Sequence, residues 1–149
     1  MKFSEEHICF NVPGLTKLEI LTYISKKAKE LGICEHSEGL LQDLLHREDE
    51  FSTGLQDGFA IPHARSSHVN EASILFIKCE NGIEWGTMDG NKVHYMFSLL
   101  VPKENEGNIH LMMLSKLATC LLEDDFKEFV TSCEDKQQLV SYIYKGMEG

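Results

Sequence analysis

The residues best suited to chemistry lie in the segment 52–63, where glycines and a short apolar run lead into a proline and His63. Gly54 and Gly58 can adopt positive φ angles, so backbone amides near them can come close to a ligand. Residues 59–61 predict a short buried strand, and the proline after them ends strand pairing just before the histidine. A neutral imidazole is a nucleophile at physiological pH. A rigidly presented histidine beside amide donors therefore suits the transfer of a phosphoryl group.

Composition and charge limit the class of protein that can carry this segment. The chain has 149 residues, of which 42% are hydrophobic and 26% charged, which is typical of a folded globular domain. We expect one domain spanning residues 1–149. The formal net charge of −10 opposes binding to nucleic acid or to anionic lipid, and it favours partners with a basic face.

Cysteine usage and hydropathy indicate the compartment. Five cysteines lie far apart and form no C-x-x-C pair, so neither a disulfide framework nor a zinc site is indicated. The N-terminus lacks the apolar core of a signal peptide, and the apolar run at 96–101 is much too short to span a bilayer. We expect a reduced, cytoplasmic protein without membrane insertion, and a monomer by default.

The first half of the chain predicts one strand and two helices. Residues 8–12 alternate weakly before a Pro-Gly turn, as in a short strand. Thr16 and Glu19 form a capping box for a helix that ends near Gly32. Ser37 can cap the second helix, and the exit of that helix brings its charged end close to the glycine-containing segment.

The second half predicts three strands followed by helices. Strands are expected near 58–63, 72–79 and 93–101, and a helix over 108–122 places His110 at the start of its inward-facing stripe. A short helix around Phe129 and a last one capped by Asp135 complete the chain. The order β-α-α-β-β-β-α-α-α indicates an α/β fold, a three-layer α/β/α sandwich with a mixed central sheet.

An ordered set of motifs resembles a known family. Arg47-Glu48, Ser52-Thr53-Gly54, residues 58–64 and Asn108-Ile109-His110-Leu111 together look like the IIA component of the bacterial phosphoenolpyruvate-dependent sugar phosphotransferase system, of the fructose/mannitol type. The resemblance covers nearly the whole chain. It implies a phosphohistidine carrier that accepts a phosphoryl group from HPr on the Nε2 atom of His63 and passes it to a IIB component during sugar uptake.

The resemblance also assigns roles to residues around His63. It implies that His110 lies near the phosphoryl group and that Arg47 compensates its charge. We expect no cofactor, and the spacing of histidines and cysteines indicates no metal. Further candidates for phosphoryl contact are Ser52, Thr53, Gly54 and Gly58. Phosphoryl transfer depends mainly on positioning and charge compensation, which an arginine fork and backbone amides can supply. His110, in the first turn of a helix where protonation is disfavoured, suits a positioning role better than a second phosphorylation site.

Other interpretations stay open at this stage. A protein of the same fold could use the phosphorylation state of His63 to control a regulatory partner, and His63 with His68 could form part of a metal-dependent hydrolase. Arg47, at a helix exit, could simply bind the last carbonyls or pair with Glu50. Asp57 stands just before the second glycine, where the family often has a small or amide residue, and it adds a negative charge near the proposed site.

The sugar also stays open at this stage. The residue types at positions 90–93 and 99–102 favour the fructose-like branch of the family, with mannitol, galactitol or another polyol as alternatives.

Overall fold

The computed structural model describes residues 2–104 and 109–148. A 3₁₀ turn, Glu5–His7, precedes the first strand. The elements are β1 (Ile8–Val12), α1 (Lys17–Glu30), α2 (Ser37–Glu50), β2 (Phe59–Ala60), β3 (His63–Ser66), β4 (Ser73–Ile83), β5 (Val93–Pro102), α3 (Ile109–Cys120), α4 (Asp124–Ser132) and α5 (Lys136–Glu148).

The sheet is mixed, as predicted. Strand β4 pairs with β1 in parallel and with β5 in antiparallel orientation, while β2 and β3 both pair with β5 in parallel. The strand expected near 58–63 is divided in two: its first part, expected at 59–61, forms as β2 and ends before Pro62 as predicted, but a second strand begins at His63. Pro62 has no N–H, and the N–H of Ile61 donates to the Thr53 carbonyl instead of to the sheet, at 3.0 Å. The chain therefore forms two short strands, and His63 is the first residue of the second one.

Helices cover both faces of the sheet, which confirms the three-layer α/β/α prediction. On one face, Leu75 and Ile77 of β4 lie in a buried cluster with the apolar stripes of α1 and α2. On the other face, the alternate residues Ile74 and Phe76 lie in a cluster with α3, α4 and α5. The two-residue period of a strand thus distributes β4 side chains between two cores.

Capping explains where the first two helices begin. The Thr16 hydroxyl accepts a hydrogen bond from the N–H of Glu19 at 3.1 Å, which confirms the predicted start of α1. The predicted cap of α2 is wrong by one residue. His36 is the cap, because its Nδ1 atom accepts from the N–H of Gly39 at 3.1 Å, and Ser37 is the first helical residue.

The third helix is described only from Ile109 onwards. The predicted start at Asn108 lies outside the described residues, and α3 ends at Cys120, two residues before the predicted end. Among the helices that the structure describes, none combines the length and the apolar character that crossing a membrane requires.

Candidate functional site

A cavity of about 280 Å³ opens at the edge of the sheet formed by β3. The last turns of α2, the strand β3 and the first turn of α3 each contribute side chains to its wall. Its described lining consists of Asp43, His46, Arg47, Glu50, His63, Ala64, Arg65, Lys103 and His110. Three residues singled out from the sequence, His63, His110 and Arg47, therefore lie together although they are far apart in the chain.

His63 is held in one tautomer. Its Nδ1 atom lies 2.7 Å from the carbonyl oxygen of Ile61. A carbonyl oxygen can only accept, so Nδ1 carries the proton and Nε2 keeps its lone pair. Burial lowers the pKa of His63, and the nearby Arg47 lowers it further, against the opposing effects of the Ile61 carbonyl and Glu48. The imidazole is therefore neutral and nucleophilic at pH 7.

His110 faces His63 across the cavity from the first turn of α3. The two ring centroids are 5.5 Å apart and the ring planes make an angle of 41°. Burial lowers the pKa of His110 to about 4, with further lowering by His63, Arg65 and Arg47. Its Nδ1 atom is buried without a hydrogen-bond partner among residues 2–104 and 109–148. The site thus contains two neutral imidazoles in close proximity.

Two arginines and Lys103 supply the positive charge of the cavity. An Nη1 hydrogen of Arg47 donates to the Phe51 carbonyl at 2.9 Å, and an Nη2 hydrogen of Arg65 donates to the Lys103 carbonyl at 3.3 Å. Within the described part of the chain, neither guanidinium lies within 4 Å of a carboxylate oxygen. Arg47 does bind a carbonyl just after its helix, but the alternative pairing with Glu50 is not formed there.

The hydroxyls of Ser52 and Thr53 form hydrogen bonds with residues outside the described cavity lining. Thr53 is buried, donates its hydroxyl hydrogen to the Glu48 carboxylate and accepts from the Nε1–H of Trp85 at 3.1 Å. Ser52 donates to the carbonyl of Gly86 at 2.6 Å. These contacts attach the segment to the loop that follows β4. Neither residue belongs to the described cavity lining.

Gly54 and Gly58 are required by the path of the backbone. A Cβ atom on Gly54 would lie 2.7 Å from the carbonyl oxygen of Gly86, and Gly58 has a φ of +82°. Asp57, just before Gly58, also has a positive φ, of 58°. Its carboxylate pairs with Lys127 of α4 at 2.5 Å. The negative charge that departs from the family wording is therefore matched by a lysine outside the described cavity lining.

A series of hydrogen bonds connects the end of α2 to the imidazole of His63. The nearly buried Glu48 carboxylate accepts from Lys17 at 3.1 Å and from the N–H of Thr53 at 3.2 Å. The Thr53 carbonyl accepts from Ile61, and the Ile61 carbonyl accepts from His63. Sequence reasoning noted Glu48 only as part of a motif, because its partners could not be identified before the fold was known.

His68 does not join His63. Its ring packs against that of His36 with the centroids 5.0 Å apart, at the start of α2, and it is not part of the described cavity lining. No group of three or more metal-ligating side chains occurs among the residues that the structure describes. The spacing of five residues between the two histidines therefore does not build a shared site.

Comparison with known proteins identifies the family. The family model described as "Phosphoenolpyruvate-dependent sugar phosphotransferase system, EIIA 2" matches residues 1–146. The chain belongs to this EIIA family. It is a phosphotransferase component of the fructose/mannitol type, which confirms the family suggested by the motifs. The fructose-specific EIIA component of Haloferax volcanii is 30% identical over 143 residues, which make up 96% of this chain and 92% of that protein.

Solved structures share the fold of this EIIA. The nitrogen regulatory protein IIA-Ntr from Neisseria meningitidis superposes with a TM-score of 0.84 at 28% identity, over 93% of this chain and 94% of that one. The mannitol IIA enzyme of Escherichia coli, solved in complex with phosphorylated IIB, has a TM-score of 0.76 at 18% identity, over 99% and 98% of the two chains. At that identity the second likeness concerns the fold alone.

Proposed function

We propose that this EIIA acts as a single cytoplasmic domain that accepts a phosphoryl group from phosphorylated HPr on Nε2 of His63 and transfers it to a IIB component. The observation that supports this most directly is the 2.7 Å contact between Nδ1 of His63 and the Ile61 carbonyl. This contact leaves the lone pair on Nε2 of His63, and His63 lines the cavity. Transfer to IIB would serve sugar uptake.

The transfer step balances without a cofactor. The Nε2 lone pair of His63 forms a bond to phosphorus as the bond between phosphorus and the donor breaks, and that electron pair leaves with the donor. His63 keeps its Nδ1 proton and becomes a phosphoimidazolium. The Ile61 carbonyl stabilises the positive charge that develops on the ring. Transfer to IIB is the reverse step with a different acceptor.

Arg47 and His110 complete the proposed site. The Arg47 fork is permanently charged and can donate to two phosphoryl oxygens at once. His110 is neutral, so it can donate one N–H to a phosphoryl oxygen and orient the phosphoryl group through that hydrogen bond. His110 is a positioning residue in this scheme, because the hydrogen bond that defines a nucleophilic nitrogen is observed for His63.

Exposed apolar side chains follow two of the lining residues closely in the chain and suit brief docking of carrier proteins. Phe51 follows α2 and is 78% exposed, while Leu111 and Met112, next to His110, are 61% and 58% exposed. The complex of the mannitol IIA with phosphorylated IIB supports a IIB acceptor. The chain's net charge of −10 favours partners with basic faces. The fructose-specific relative supports a sugar of the fructose-like branch.

Phosphorylation in a reconstituted system tests this proposal. Wild type, His63→Ala and His110→Ala are incubated with phosphoenolpyruvate, enzyme I and HPr and are analysed by intact mass. We expect one phosphoryl adduct on wild type, none on His63→Ala, and slower formation on His110→Ala. The exposed His94→Ala serves as the matched control and should behave as wild type. An adduct that persists in His63→Ala refutes the assignment.

A regulatory role is the second candidate, supported by the likeness to IIA-Ntr. In that case the phosphorylation state of His63 would control a binding partner, and the chemistry at the cavity would be the same. Incubation of the phosphorylated protein with purified fructose-type IIB separates the two. Rapid loss of the adduct with its appearance on IIB supports the transport role, whereas retention of the adduct favours the regulatory one.

A further inference from the structure

We infer that Arg65 is a second phosphoryl-binding residue, which holds the phosphoryl group on His63 together with Arg47. This inference rests on the proposed function of His63. Motif reasoning assigned no role to Arg65. The structure provides three independent reasons for the assignment, namely the use of arginine in this chain, the geometry of β3 and the unused donors of the side chain.

Arginine is rare in this chain. Of its 14 basic side chains, only Arg47 and Arg65 are arginines, and both line the cavity that contains His63. The other basic side chains are lysines, one of which, Lys103, also lines the cavity. A guanidinium differs from an ammonium in its planar fork, which matches a pair of phosphoryl oxygens. The placement of both arginines at one cavity is therefore explained by an oxyanion ligand.

The geometry of β3 places Arg65 beside the nucleophile. His63 and Arg65 are two residues apart in the strand and pair in parallel register with Leu99 and Val101 of β5. Side chains at i and i+2 of a strand point to the same face of the sheet. Ala64, between them, belongs to the buried cluster on the opposite face, with α1 and α2. Arg65 thus shares the α3 face of the sheet with His63.

Arg65 has donors left for a ligand. The side chain is exposed, and in the described part of the chain its only hydrogen bond runs from Nη2 to the carbonyl of Lys103, at 3.3 Å. A guanidinium has five N–H donors, so most of them are free. No carboxylate of the described chain forms an ion pair with it. The contact with Lys103 fixes the side chain at the cavity without neutralising its charge.

The two arginines approach the histidine pair from different elements. Arg47 extends from the last turn of α2, and its charge lowers the pKa of both histidines. Arg65 extends from β3, and its charge lowers the pKa of His110. A phosphoryl group attached to Nε2 of His63 carries close to two negative charges at pH 7. Arg47 and Lys103 together only match the carboxylates of Asp43 and Glu50 in the lining, so Arg65 supplies the positive charge that is left for the phosphoryl group.

The test compares Arg65→Gln with Arg65→Lys and with the charge-matched control Lys26→Gln, which removes an exposed positive charge from α1. Phosphoryl transfer from HPr is followed by intact mass at limiting HPr. We expect Arg65→Gln to react about tenfold more slowly than wild type, the effect of about 1.4 kcal/mol in the barrier. Arg65→Lys should be intermediate, and Lys26→Gln should stay within about twofold of wild type.

A second readout separates phosphoryl binding from partner docking. In the phosphorylated protein, ³¹P NMR titration reports the pKa of the phosphoryl oxygens, which a bound guanidinium lowers. We expect this pKa to rise in Arg65→Gln and to stay unchanged in Lys26→Gln. Equal melting temperatures of wild type and variants show that the fold is retained.

Each outcome is informative. If wild type forms no adduct at all, the proposed function fails and the inference fails with it. If wild type is phosphorylated but Arg65→Gln matches Lys26→Gln in rate and in ³¹P titration, only the inference is overturned. A slower reaction with an unchanged ³¹P titration also overturns it, because Arg65 would then act on the docking of HPr instead of on the phosphoryl group.

Discussion

Replacement of Thr53 by valine distinguishes the role suggested by its motif from the role seen in the structure. Valine has nearly the same shape but lacks the hydroxyl, which donates to Glu48 and accepts from Trp85. Both contacts are buried or nearly so. If the hydroxyl is structural, Thr53→Val lowers the free energy of unfolding; if it binds the phosphoryl group, the variant slows transfer and leaves stability unchanged.

The expected magnitude follows from these contacts. Loss of the bond to the carboxylate costs about 1.5–3 kcal/mol, and leaving the buried Trp85 N–H without a partner costs about 1–3 kcal/mol. Glu48 keeps its bonds to Lys17 and to the Thr53 N–H, so part of the first cost is recovered. We expect a net loss of about 3 kcal/mol. For a domain of this size, that lowers the melting temperature by about 6–12 °C.

The assay is urea unfolding of wild type, Thr53→Val and the matched control Thr53→Ser. Serine keeps the hydroxyl and loses one methyl group, so it should cost only about 1 kcal/mol. The double variant Thr53→Val/Trp85→Phe removes both partners of one bond, so its cost should be smaller than the sum of the two single costs. The reasoning is refuted if valine and serine destabilise equally, or if the two single costs simply add.

Three further predictions concern the same region. In NMR titrations, His110 should be only about 10% protonated at pH 5, since its pKa is about 4, whereas an unperturbed histidine would be about 97% protonated; a midpoint near 6.5 would contradict the burial argument. Gly54→Ala should cost about 2 kcal/mol in urea unfolding, because the new Cβ would meet the Gly86 carbonyl at 2.7 Å, while an unchanged midpoint would mean that the loop gives way easily. Asp57→Asn should change stability by less than about 1 kcal/mol and the rate of phosphorylation by less than about twofold, because its exposed carboxylate pairs with Lys127; a larger effect on rate would show that its charge reaches the phosphoryl group.

The fold could be predicted largely because apolar periodicity reports which face of each element is buried. Leu40, Leu41 and Leu44 identified α2, and the capping residue Thr16 located the start of α1. Local detail was harder to predict. The division of one expected strand into β2 and β3 depends on Ile61 pairing with Thr53, a contact between segments that the pattern of Ile61 and its neighbours does not reveal.

Only those residues of the candidate site that belong to a recognisable motif could be predicted from the sequence. His63, His110 and Arg47 carry family motifs, and the structure brings them to one cavity. Thr53 carries a motif too, but its partner Trp85 lies 32 residues away, so its anchoring role required the fold. Arg65 went unnoticed because its significance comes from sharing a strand face with His63, and β3 itself was not predicted as a separate strand.

The electrostatics of the cavity serve two requirements at once. Arg47, Arg65 and Lys103 outnumber the carboxylates of Asp43 and Glu50 in the lining, so in a chain of net charge −10 the cavity carries positive charge that attracts a phosphoryl group. Burial lowers the pKa of both histidines most, and the charge of Arg47 lowers both further. His63 therefore stays neutral to a lower pH than an exposed histidine does. Because protonation would block its lone pair, the charges that hold the phosphoryl group also keep the nucleophile ready to accept it.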